Sequence, residues 1–308
     1  MNKTVFRATV AGLLLLVAQC ALAAEGTFNR TLTVSGASDV EITSGSGDIT
    51  VRSGDNSKVI ITGHVKSSNN WGLFSSGGDP QEKVDRIVKN PPIEQSGSWI
   101  RIGKIQDESL RNGVSISYDV VVPKETRLRT TTGSGEVRID DIAGATNARS
   151  GSGSLRLHNI GADLDANTGS GEIEATGVSG IARAQTGSGD VQIELTGSGA
   201  VRAHTGSGEV TIRGAKGPLD ASTGSGDVRA EGSVASSWSI HTGSGEVRIV
   251  VPHDAKFTLQ ARSSSGSVHS DLPISVNGSM ERHALRGTVN GGGPTLDVST
   301  GSGSISIQ

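Results

Sequence analysis

A Gly-Ser-Gly triplet returns along this chain at a nearly fixed spacing. Gly133, Gly151, Gly169, Gly187, Gly206, Gly224 and Gly243 each open one, at successive intervals of 18, 18, 18, 19, 18 and 19 residues. Strand-like text between such marks predicts a solenoid, in which each repeat is one coil and packs only on its neighbours. Composition agrees: glycine supplies 44 of 308 residues and aromatics only 3%. A globular core built on large rings is excluded, whereas a solenoid needs only a narrow column of side chains.

The text on either side of each triplet alternates with period two. Before the glycines stand Thr146/Ala148, Leu164/Ala166, Val201/Ala203, Leu219/Ala221 and Trp238/Ile240. After them stand Val137/Ile139, Leu155/Leu157, Ile173/Ala175, Val191/Ile193 and Val210/Ile212. Such alternation marks half-buried strands of about five residues. A further apolar residue, Ile142, Ile160, Val178 or Ala215, follows three positions later and fills a short third side. The glycines are expected to supply positive φ at a tight corner. The column Thr132, Ser150, Thr168, Thr186, Thr205, Thr223, Thr242 is expected to stack as a ladder of hydroxyls. Phosphate cradling by the triplets is excluded, because it wants a helix N-terminus and a lysine after the glycines.

The first residues read as an export leader: Lys3 and Arg7, an apolar run Ala11–Val17, and Ala21-Leu22-Ala23 before a cut preceding Ala24. Cys20 follows Gln19 rather than the small residue a lipobox requires, so lipidation is not expected. No stretch approaches the ~20 apolar residues of a membrane span. The destination is periplasmic or secreted. Beyond a signal peptide at 1–23, the expected organisation has four parts. These are a cap with the first coil at 24–65, an insert with a loop, short helix and strands at 66–122, regular repeats at 123–250, and irregular terminal coils at 251–308.

The leader, Val120-Val121-Val122-Pro123 followed by Leu128, and the succession of Gly-Ser-Gly-acidic-Val-x-Ile units resemble the bacterial DUF4097 family, whose members carry the label "putative adhesin". The resemblance covers most of residues 26–308. It implies an all-β fold, a single-stranded right-handed parallel β-helix with coils of ~18 residues. It brings no catalytic or binding residues to carry over.

The residues themselves narrow the function. A net charge of −3 gives no basic footprint for nucleic acid. Glu136, Glu172, Asp190, Glu209, Asp227 and Glu246 form a column after the triplets. Arginines two residues on offset it at its ends, leaving Glu172, Glu174 and Asp190 as a net-negative middle. That middle reads as a solvated face or as a weak cation-binding surface. The nine-residue calcium repeat is absent, and His204 and His241 sit two coils apart, so no metal centre and no cofactor are expected. Asn69-Asn70-Trp71-Gly72-Leu73-Phe74 sets Trp71 and Phe74 in a polar loop, as a recognition patch or a plug for the end of the core. The reading is an exported, non-enzymatic solenoid, an adhesin-like or structural module contacting envelope glycan or protein, with ligand and oligomeric state open. The alternative is a glycan-active β-helix enzyme, a lyase or hydrolase, which would need paired carboxylates in a walled groove.

Overall fold

The computed structural model describes residues 24–67, 79–276 and 282–308. Each Gly-Ser-Gly joins a leading strand to a trailing strand, as Leu164–Thr168 passes into Ile173–Val178. Leading strands align in one 14-stranded sheet and trailing strands in another of 13. Pairing through the array is parallel: Leu164 lies opposite both Thr146 and Ala182, and Ile173 opposite Leu155 and Val191. The result is an all-β stack of two parallel-rich sheets, consistent with a β-solenoid.

The period-two alternation becomes the inside and outside of the stack. Ile193 and Ile212 are fully buried and adjacent in register, while Gln192 between buried neighbours points outward. Trp238 lies in an inward slot and its Nε1 donates to the Gly217 carbonyl at 3.1 Å, so the indole is buried without an orphaned donor. The third side is closed by Ile142, Ile160, Val178 and Ala215, all buried. Their carbonyls accept from the next coil, with Gly161 N donating to Ile142 at 2.9 Å and Ser179 N to Ile160 at 3.0 Å.

Two expectations about the corners change. The threonines do not form a ladder of hydroxyls bonded to one another. Each hydroxyl instead donates to a glycine carbonyl of the coil beneath it: Thr168 to Gly153 at 2.8 Å, Thr186 to Gly171 at 2.9 Å, Thr223 to Gly208 at 3.0 Å. Nor is positive φ the common reason for glycine. The glycine that opens each triplet has none. A Cβ on Gly224 would stand 2.6 Å from the Gly206 carbonyl oxygen, so it is the close stacking of corners that admits only glycine.

The ends of the stack depart from chain order. Residues 66–122, set apart by their sequence as an insert, contribute a coil of their own: Trp99–Ile102 pairs in parallel with Asp39–Ser44, and Val114–Pro123 with Ile49–Gly54. The coil at 39–54 therefore lies between this later coil and the one at 127–140. At the other end, Thr295–Ser302 inserts between Trp238–Ser244 and Phe257–Ser265, which comes earlier in the chain. Antiparallel strands then close the stack: Ala24–Thr33 and Lys58–Ser67 at one end, Ala284–Val289 and Ile274–Val276 at the other. The helix Pro80–Lys89 is capped by Asp79, whose carboxylate accepts from Gln81 N at 3.0 Å. It buries Val84 and Ile87 against the two strands at the first end. Phe28 and Tyr118 meet there edge to face, 6.5 Å between centroids, and burial raises the Tyr118 pKa.

Candidate functional site

The outward side chains of the two sheets form two different surfaces. On the trailing sheet the acidic column is largely spent on the fold. Asp190 Oδ1 accepts from the Glu209 amide at 2.8 Å, and Asp48 and Asp227 bond the amides of Glu136 and Glu246 in the same way. Arg156 bridges coils, pairing with Glu136 and standing 3.9 Å from Glu174. Its hydrogen bond holds the Glu136 carboxyl below the usual range. Of the three carboxylates singled out from the sequence, Glu172 and Asp190 are exposed and Glu174 half-buried. They share one face, with Glu174 opposite Arg156 and Gln192 in register. Among the described residues no three His, Cys, Asp or Glu side chains come together as a metal site.

The leading sheet carries a groove of about 420 Å³ across its outer face near the first end of the stack. Its walls come from segments far apart in the chain, brought together by the reordered coils. Trp99 and Arg101 lie on the outermost coil, with the Arg101 guanidinium over the indole, 4.5 Å from the ring centroid. Asp39 and Glu41 follow on the next coil, then Arg127 and Arg129, Asn147, Asp163 and Asp165, and Arg183.

Every carboxylate in this groove is already engaged. Glu41 is 3.4 Å from Arg101 and Asp39 is 3.7 Å from Arg127. Asp163 accepts from the Ile181 amide at 2.9 Å. Asp165 accepts from Asn147 at 2.8 Å and Asn167 at 2.6 Å, with Arg149 at 3.8 Å. Arg129 and Arg183 are exposed, and among the described residues neither makes an ion pair. The groove thus offers two uncommitted guanidinium groups and an indole. The sequence reading passed over it, because its residues come from five separate segments. The available signal was the outward slot two residues after each leading strand begins, occupied by Glu41, Arg129, Asn147, Asp165, Arg183, Arg202 and Asp220. Trp71 and Phe74 lie outside the described residues, as do Cys20 and the leader. Among the described residues, no helix is long and apolar enough to cross a membrane.

A parallel-rich β stack with a polar groove on one open face is the class that fold and site define. The family profile described as Toastrack DUF4097 matches residues 38–308, and the chain belongs to this family. No curated protein matches it. Similar solved structures include a "putative adhesin" from Bacteroides fragilis, 12% identical with a TM-score of 0.41, covering 92% of this chain and 97% of that one. Another is a "putative cell adhesion protein" from Clostridium sporogenes, 14% identical, TM-score 0.22, covering 92% and 99% of the two chains. A third is a "putative adhesin" from Parabacteroides merdae, 10% identical, TM-score 0.23, covering 92% and 96%.

Proposed function

We propose that this protein is an exported, non-enzymatic binding module of the bacterial cell envelope, adhesin-like or structural, built as a right-handed β-solenoid with coils of ~18 residues. In this reading the leader is removed after Ala23 and the mature chain acts in the periplasm or outside the cell. The observation that carries it is the groove on the leading sheet. It is an open surface crossing several coils, lined by an aromatic ring and polar planar side chains, which suits an extended partner better than a small enclosed substrate. Trp71 and Phe74 are proposed as a second contact for the same partner, and the acidic face of Glu172, Glu174 and Asp190 as a solvated surface.

The test is to incubate purified mature protein with sedimented envelope material and assay both retention and soluble sugar products. Retention without products is expected. Release of products would favour the glycan-active enzyme instead, and absence of retention would overturn the binding role.

A further inference from the structure

We propose that the leading-sheet groove binds an acidic polysaccharide, whose carboxylates pair with Arg129 and Arg183. The inference rests on the envelope-binding reading above and adds the chemical class of the ligand. Charge complementarity carries it: each carboxylate lining the groove has a partner, while these two guanidinium groups have none. A guanidinium presents a planar fork of donors that matches a carboxylate bidentately, so two uncommitted arginines aimed at solvent form a receptor for anions.

Spacing separates one kind of anion from another. Arg129 and Arg183 stand three coils apart in register, at positions matched through Asn147 and Asp165. At ~4.8 Å per coil this is roughly 14 Å, so the ligand carries its charges sparsely along an extended chain. A densely charged polymer such as nucleic acid is disfavoured by the net charge of −3 and by the acidic trailing face. A lipid surface is disfavoured too. Among the described residues the one exposed large apolar side chain is Ile60, and it does not line the groove, so nothing there enters an acyl layer. Trp99 closes one end of the groove, and indole is a platform on which the C–H face of a sugar ring packs.

The experiment titrates the mature protein with a purified uronic-acid oligosaccharide and with the same oligosaccharide after reduction of its carboxyls to alcohols. The acid form should bind, roughly tenfold or more tightly than the reduced form, and should weaken as salt rises. R129Q/R183Q should lose roughly tenfold in affinity with an unchanged melting temperature. R129K/R183K, which keeps the charge but not the fork, should fall between. R202Q, on the same outward row but paired with Asp220 at 3.2 Å and outside the groove, should bind as the unaltered protein does. Equal binding of acid and reduced forms, an unaffected R129Q/R183Q, or preferential capture by anionic phospholipid vesicles would each overturn the proposal. Failure to bind the uronate while sedimented envelope still retains the protein sinks the ligand class alone. Failure with both sinks the envelope-binding reading as well.

Discussion

Two threonines with nearly the same burial give opposite weight to a hydroxyl. Thr186 Oγ1 donates to the Gly171 carbonyl of the neighbouring coil at 2.9 Å, whereas Thr130 Oγ1 is buried between Ile42 and Ala148 without a partner. Valine has the shape of threonine without the polar atom, so one substitution should act in two directions. Thr186→Val should destabilise by about 1–2 kcal/mol by leaving a corner carbonyl short of a donor. Thr130→Val should stabilise by up to about 1 kcal/mol by removing an unpaired hydroxyl from an apolar column. Denaturant midpoints measure both, and shifts of the same sign would show that the corner bonds contribute nothing. The ion pair between Arg156 and Glu136 predicts a pH dependence. Glu136 is depressed in the folded protein, so its stabilisation is present above the ordinary carboxylate range and is lost as pH falls through the lowered folded value. Glu136 is 38% exposed and screened by solvent, so the effect is modest. Arg156→Gln should therefore lower the melting temperature at neutral pH, with the gap to the unaltered protein closing as both are acidified. A gap that stays constant into acid would remove the carboxylates from the explanation.

Individual coils were legible from the alternation alone, because a strand with one buried face must place every second side chain inward. Leu155, Leu157, Val191, Ile193, Val210 and Ile212 all stand buried where period two puts them. The capped helix was legible too, from Pro80 and the Val84, Ile87 spacing. What the corners require was less legible, since a glycine demanded by φ and one demanded by a neighbour's carbonyl look alike in sequence. Gly45 and Gly224 separate the two cases, since each opens a triplet with ordinary backbone. A Cβ on Gly45 would meet nothing within 4 Å, and one on Gly224 would collide with the Gly206 carbonyl. Gly45→Ala should leave the melting temperature nearly unchanged, while Gly224→Ala should cost about 1–3 kcal/mol through forced displacement of the coil. Equal losses would return the requirement to backbone conformation.

At the scale of the whole molecule, the order in which coils stack could not be read from the chain. Every coil shares the same inward pattern, so nothing local tells Asp39–Ser44 whether its neighbour is the next strand in sequence or one much later. That order nevertheless builds the groove, by setting Trp99 and Arg101 beside Glu41 and Glu41 beside Arg129. It also leaves both ends of the stack closed by antiparallel strands rather than by open parallel edges. Disulfide trapping reads the order directly, because a bridge forms only when Cα atoms lie within about 7 Å. Two double-cysteine variants in a Cys20→Ser background share one position, Glu41→Cys/Arg129→Cys and Arg101→Cys/Arg129→Cys. Facing strands put the first pair on adjacent coils, and the second pair is two coils apart, at roughly 10 Å. Under mild oxidation the first should cross-link nearly completely and the second should remain reduced. The reverse result would mean that the coils stack in chain order, and the groove as described would not exist.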